Sequence, residues 1–391
     1  MDYSFASRMQ KIPESFLNEL FRVSLQPGVI SFAGGLPCTD LIDLEGIREA
    51  TLSVMDEDGR EALQYADTHG YLPLREKIAE RYRCRHGMDA DAGQIRLVNG
   101  SQQCLDLVAK IFIDANDHLG MERPGYLGAI EAFSLYEPVI HQVELEDDGI
   151  SISGLRETIE RFSPKFFYGI PNFQNPSGRS YSEKRRMEVA GIINESETIF
   201  YEDDAFGELS FDRRPRTPIK KLAPEHTVMS GSFSKIVAPG LRLGWIFAPE
   251  GIIQNFDTAK QAADLHSNYL SQKIMNRYME ISDIERMIDR VAWHNSNNCK
   301  LMCDLVDDLL PGVSRTSPEG GMFLWLTLPE KKSSGKLFRS GLDHGVAVLP
   351  GVPFFTGDGG ENHIRMNFST SEPEMIREGM DRLKKAYLSI M

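Results

Sequence analysis

Ser230-Gly231-Ser232-Phe233-Ser234-Lys235-Ile236-Val237-Ala238-Pro239-Gly240-Leu241-Arg242-Leu243-Gly244-Trp245 is the stretch on which the reading of this chain turns. A lysine lies beside two close serines, an arginine follows seven residues on, and glycines stand at 231, 240 and 244, where the backbone must turn or come close. Those residue types suit an aldehyde cofactor that carries a phosphate. Lys235 would condense with the aldehyde, while Ser232, Ser234 and the planar guanidinium of Arg242 would hold the phosphate oxygens. The competing reading is a solvated loop lysine, one of 43 basic residues, which is the ordinary state of such a side chain.

Outward from this stretch, short apolar runs at 95–98, 118–122, 139–145, 166–170, 199–202, 227–230 and 243–248 alternate with helical patterns. That alternation calls for right-handed crossovers and a mainly parallel sheet in an α/β fold, with ligands beyond the carboxyl ends of the strands. Asn175, Asp203 and Lys235 each follow such a run and can converge there. Asp203 comes directly after Ile199-Phe200-Tyr201, so its carboxylate would be desolvated and need a cation; Asp204 competes for the same role. Asn99-Gly100-Ser101-Gln102 turns into a helix, and the free N–H groups of a helix start suit a phosphate, although the same residues cap ordinary helices. Arg365, alternating with apolar neighbours in Ile364-Arg365-Met366-Asn367-Phe368-Ser369, needs an anion: a structural ion pair or a bound carboxylate.

The pattern Ser-x-Ser-Lys-x-x-x-x-Gly-x-Arg-x-Gly over 232–244 resembles the lysine motif of fold-type I pyridoxal-phosphate enzymes, specifically class I/II aminotransferases. Gly34-Gly35-Leu36-Pro37, Gln64-Tyr65, Gly100-Ser101-Gln102-Gln103, Pro124-Gly125-Tyr126, Asn175-Pro176-Ser177-Gly178, Tyr201-Glu202-Asp203-Asp204 and Gly320-Gly321-Met322-Phe323 follow the family's order, nearest to its 2-aminoadipate and kynurenine aminotransferase branch. The resemblance implies amino transfer between an L-amino acid and a 2-oxo acid, with Lys235 holding the cofactor and Asp203 facing its ring nitrogen. Tyr126 would lie on the ring, Asn175 would donate to its phenolic oxygen, and Ser101, Gln102, Ser232, Ser234 and Arg242 would anchor its phosphate. Gly35, Asn175 and Arg365 would receive the substrate. Tyr65 would cross to a neighbouring subunit, which makes the expected assembly a homodimer with composite sites. The expected division is an N-terminal arm with part of a small domain (1–45), a large cofactor-binding domain (46–284) and a C-terminal small domain (285–391). Other chemistry at Cα or Cβ (elimination, racemisation, oxidation) and a non-catalytic sensor that kept the fold are the alternatives.

Composition narrows the field. At 391 residues and 41% hydrophobic content the chain has material for two cores, and a net charge of −14 without a dense basic run argues against a nucleic-acid surface. No apolar run approaches membrane-spanning length and the N-terminus lacks a signal pattern, so the expectation is a soluble cytoplasmic protein. Cys38, Cys84, Cys104, Cys299 and Cys303 are scattered; Cys299 and Cys303 lie one helical turn apart, but without a second ligand pair they read as packing, and no metal site is expected.

Two positions depart from the family pattern. Phe16, Leu17, Leu20, Phe21 and Val23 recur at helical spacing in an arm suited to cover the site, and Leu17-Asn18-Glu19 stands where relatives carry an Ile-Arg-Glu run. Without that arginine an acidic side chain loses its partner, which favours aromatic or aliphatic substrates. Phe206 replaces a common tyrosine, leaving Asn175 as the donor to the phenolic oxygen and raising the pKa of the lysine–cofactor linkage relative to Phe206→Tyr. Lys331-Lys332-Ser333-Ser334-Gly335 reads as a solvated loop.

Overall fold

The structure, a computed structural model, describes residues 3–10 and 27–390, so the arm carrying Asn18 lies outside the described residues. The alternation after residue 90 becomes one eight-stranded sheet. Its strands are β2 (Ile95–Val98), β3 (His118–Arg123), β4 (Val139–Glu146), β5 (Gly149–Ile150), β6 (Phe166–Gly169), β7 (Ile199–Asp204), β8 (Thr227–Ser232) and β9 (Gly244–Phe247), in the order β2-β9-β8-β7-β6-β3-β4-β5. Strands β8, β7, β6, β3 and β4 are parallel neighbours, whereas β9 runs antiparallel to both β8 and β2, and the short β5 returns along β4. The expected mainly parallel sheet is therefore present, with β9 reversed so that its first residue, Gly244, lies at the carboxyl ends of its neighbours.

Apolar residues cover both faces of this sheet. Phe166, Tyr168, Tyr201 and Val228 face one cluster with α3 (Ser101–Phe112), and Phe167 and Phe200 face another with α6 (Glu183–Asn194). The single-residue alternation of a strand separates these two sets. Before the sheet lie α1 (Leu44–Ala62), started by the Asp43 side chain accepting from the Gly46 N–H, and α2 (Leu72–His86), with Pro73 in its first turn and Gly87 ending it at φ +60°.

Beyond the sheet, α7 (Glu250–Asp264), α8 (Tyr269–Ile281) and α9 (Ile284–Leu309) lead to a four-stranded antiparallel sheet. That sheet has the order β10 (Ser314–Arg315), β11 (Phe323–Thr327), β14 (His363–Asn367), β13 (Leu349–Pro350). The N-terminal β1 (Ile30–Ser31) pairs parallel with β12 (Val346–Ala347), carrying Ile30 and Phe32 into the apolar cluster of the C-terminal part. Helix α9 shares its length between clusters: Ile284, Met287, Ile288 and Val291 pack with the large sheet, and Cys299, Met302, Cys303 and Val306 with the small one.

Among the boundaries that differ from the sequence reading, two have a visible cause. Strand β7 continues through Asp203 and Asp204, because both pair in register with Ser230 and Gly231 of β8, and Asp203 finds a donor in Ser230 while Asp204 finds one in Asn172. The 331–335 run is a loop only to Ser333, whose hydroxyl caps α10 (Ser334–Asp343) by accepting from the Lys336 N–H.

Candidate active site

Alternation along β7 sends Asp203 and Asp204 to opposite sides. Asp203 faces the side of Tyr168 and Ser230: its Oδ2 accepts from the Tyr168 hydroxyl at 2.7 Å and its Oδ1 from the Ser230 hydroxyl at 3.1 Å. Asp204 turns the other way and accepts from Asn172 Nδ2 at 2.7 Å. Burial pushes the Asp203 carboxyl up to about 6, the two hydroxyls pulling against it. No side-chain cation pairs with Asp203 among the described residues, although buried carboxylates require donors or countercharge. Tyr168 was not legible as a site residue, because a tyrosine in Phe166-Phe167-Tyr168 reads as core.

Lys235 leaves the end of β8 and donates from Nζ to the Gly35 carbonyl at 2.8 Å. Burial first, then the charges of Arg365 and Arg242, push its pKa down to about 8. Gly35 comes close because it has no side chain: a Cβ there would lie 3.3 Å from the Phe323 ring. Arg365 is buried on β14, on the face opposite Ile364 and Met366. It donates from Nη1 to Asn175 Oδ1 at 2.9 Å and from Nη2 to the Ala33 carbonyl at 2.7 Å. Its guanidinium lies over the Phe323 ring at 4.3 Å and the Phe354 ring at 5.3 Å, its Nε has no partner, and burial pushes its pKa down to about 9. The structural ion pair is absent among the described residues; the buried cation has oxygen acceptors but no anion.

At the opposite edge the glycines bring backbones together. A Cβ on Gly244 would sit 2.9 Å from the Ser101 nitrogen, and one on Gly100, at φ +83°, would sit 2.7 Å from Arg242 Nη2. Arg242 donates to the Asn99 carbonyl at 3.0 Å, and the Ser234 N–H donates to the Ser232 hydroxyl at 3.1 Å. The start of α3, whose first N–H groups have no partner within the helix, thus lies against β9 and the arginine after the lysine loop. Gln102 Nε2 donates to the Gly128 carbonyl at 2.9 Å, and Gly128 leaves room for the Tyr126 ring that starts α4 (Leu127–Ser134). Phe206 is buried edge-to-face on Phe323, the ring beneath Arg365. Tyr65 stands apart, 78% exposed, its ring edge-on to His266.

A buried acid without a cation, an amine held near neutrality and a buried arginine without an anion are thus collected at one end of a sheet. The sequence profile of the family described as aminotransferase class I and II matches residues 27–383. The chain belongs to this family. It is 37% identical to aromatic-amino-acid aminotransferase 1 of Thermococcus litoralis over 98% of this chain and 94% of that protein. Among solved structures, the α-aminoadipate aminotransferase of Thermus thermophilus with N-(5'-phosphopyridoxyl)-L-leucine is 36% identical, covers 99% of this chain and 97% of its own, and superposes with a TM-score of 0.93. The kynurenine aminotransferase of Pyrococcus horikoshii, solved with PMP, is 34% identical over 98% and 97% of the two chains, also with a TM-score of 0.93. The chain is therefore a fold-type I, pyridoxal-phosphate-dependent aminotransferase that moves an amino group between an amino acid and an oxo acid. The residues present fit that cofactor: the close approach at Gly100 and Gly244 needs a residue without Cβ, and Asp203 is a buried acid that lacks a cation.

Proposed function

We propose that this aminotransferase acts on aromatic or aliphatic L-amino acids, with Lys235 as its catalytic amine and Arg365 as the receptor of the substrate α-carboxylate. The observation that carries the reading is Arg365, a buried guanidinium with an unpartnered Nε and no carboxylate, beside the Lys235 amine. Bound pyridoxal phosphate supplies an electron-withdrawing ring that stabilises negative charge at the substrate Cα. Asp203 would hold the proton-bearing ring nitrogen, Tyr126 would lie on the ring, and Asn175 Nδ2, left over when its Oδ1 takes Arg365, would donate to the phenolic oxygen. Ser101, Gln102, Ser232, Ser234 and Arg242 would hold the phosphate. Lys235 Nζ, neutral in a large fraction near pH 8, would take the proton from the substrate Cα and hold it for return. Gly35, whose carbonyl accepts from Lys235 Nζ, would receive the substrate together with Asn175 and Arg365.

The substrate class is supported by the phenylalanine rings around Arg365, by Asn18 where relatives carry an arginine, and by two relatives. One is named for aromatic amino acids and the other was solved with a leucine adduct. A homodimer is supported by the exposed apolar residues Leu44, Leu52, Met55 and Leu63 of α1 and its end, next to an exposed Tyr65 that would complete the partner's phosphate site. The division into 46–284 against 1–45 with 285–391 is supported by the two main apolar clusters, with Met287, Ile288, Val291, Met322 and Phe323 crossing it to pack with the larger one. A cytoplasmic location is supported by composition, and no helix among the described residues is long and apolar enough to cross a membrane.

The test is a panel of amino donors read by the cofactor's absorbance change, with Lys235→Ala beside the parent. The expected result is conversion with aromatic and aliphatic donors, little with acidic ones, and no turnover or cofactor trapped by borohydride in Lys235→Ala. Turnover retained without Lys235, or a preference for acidic donors, refutes the reading.

A further inference from the structure

Strand β3 ends in an acid that none of these roles uses. Glu122 is fully buried, and among the described residues no cation pairs with it; its carboxylate accepts at Oε1 from the Ile170 N–H at 3.1 Å and the Tyr181 hydroxyl at 2.7 Å, and at Oε2 from Gln174 Nε2 at 3.1 Å. Gln174 in turn uses both ends of its amide. Nε2 also donates to the Pro124 carbonyl at 2.8 Å, while Oε1 accepts from the Ser177 N–H at 2.8 Å. One side chain therefore ties the turn after β3, which carries Tyr126, to the turn after β6, which carries Asn175. Phe173, just before it, is fully buried with φ +51°, a backbone state that a bulky residue keeps only when its surroundings over-determine it.

Three groups orient the Gln174 amide. The Glu122 carboxylate oxygen and the Pro124 carbonyl both accept and so draw Nε2 to their side, while the Ser177 N–H takes Oε1; among the three, Glu122 is the side chain. That choice settles the backbone on either side of Asn175, whose Oδ1 takes Arg365. We propose that Glu122 is a positioning residue for substrate binding: by orienting Gln174 it holds Asn175 against Arg365 and so aims the guanidinium at the amino-acid carboxylate. The inference rests on Arg365 being the carboxylate receptor.

The decisive variant is Glu122→Gln, which keeps the shape but sets a donor against a donor, at Gln174 or at the Ile170 N–H, since the Tyr181 hydroxyl can turn to accept. The exchange Glu122→Gln with Gln174→Glu restores a donor–acceptor pair at that contact and the acceptor for Ser177, giving up the bond to Pro124. With the holoenzyme, KM for the amino donor should rise about tenfold in Glu122→Gln, the cost of about one unsatisfied buried group, with kcat within about threefold and the cofactor's absorbance titration unchanged. The exchange variant should bring KM back to within about threefold of the parent. An unchanged KM in Glu122→Gln overturns the proposal. So does a loss of kcat with an altered cofactor titration that the exchange does not rescue, which is what simple loss of packing would give. If Glu122→Gln yields no folded holoenzyme, Gln174→Met is read in its place for the same rise or absence of rise in KM. Arg365→Lys is measured in parallel. A raised KM there beside an unchanged KM in Glu122→Gln sinks only the positioning role, whereas an unchanged KM in Arg365→Lys overturns the carboxylate reading and the proposal with it.

Discussion

Asp203 is held by two hydroxyls and displaced from its ordinary ionisation by burial. Removing one hydroxyl should raise its pKa further and weaken its hold on a cationic ring, so Tyr168→Phe is expected to lower the affinity of the cofactor-free chain for pyridoxal phosphate by about tenfold, measured by absorbance titration. Asp203 also makes stability depend on pH. Its folded pKa of about 6 lies above the unfolded value, so the folded chain binds the extra proton between the two, and stability falls as pH rises through about 6. Glu122 and Glu202, both raised by burial to about 7, act in the same direction, while burial lowers His86, His141 and His363 and these act in the opposite one. The Asp203 share is isolated by substitution. Urea denaturation of the cofactor-free chain should find Asp203→Asn more stable than the parent above pH about 7, with the gap closing as pH falls through 6. A gap that does not change with pH would refute it.

At the scale of elements, the phosphate end we propose depends on the reversed strand β9. Its first residue lies so near the start of α3 that a methyl group at 244 would meet the Ser101 nitrogen at 2.9 Å and the Gly100 carbonyl carbon at 3.0 Å, both backbone atoms with no rotamer to change. Gly244→Ala must therefore move β9 away from the helix start. The expected outcome is about 1–3 kcal/mol lost in urea denaturation and about tenfold weaker binding of pyridoxal phosphate, whereas Gly251→Ala, where nothing lies within 4 Å of the added atom, should leave both unchanged. The positions of the elements were legible from period and length, because β3, β6, β7 and β8 are buried on both faces along most of their length, whereas β4, exposed on one side, alternates at its end. The extension of β7 through two acids was not, since propensity places aspartates outside strands and only pairing with β8 overrides it.

At the scale of the molecule, Tyr65 is 78% exposed beside Leu63 and near the apolar face of α1, while its proposed duty lies in another subunit's site. If sites are shared, two chains with different lesions should repair one another. Lys235→Ala and Tyr65→Ala, each poorly active alone, should on coexpression give about a quarter of the parent's activity, because half the dimers are mixed and each mixed dimer has one whole site. Activity no higher than the sum of the two variants would refute the composite site.

The sequence by itself determined the α/β class and the family, and it singled out Lys235, Asp203 and Arg365 as candidates, because each is a charged residue at a place where apolar neighbours demand a partner. What only the tertiary structure decided was which partners they have. Tyr168 and Ser230 on Asp203, the Gly35 carbonyl on Lys235, Asn175 and Ala33 on Arg365, and Gln174 between Glu122 and Ser177 are contacts between residues from 3 to more than 300 apart in the chain. Nearly all come from sheet register and loop packing, which place side chains from distant segments together and leave no periodic trace in the order of residues.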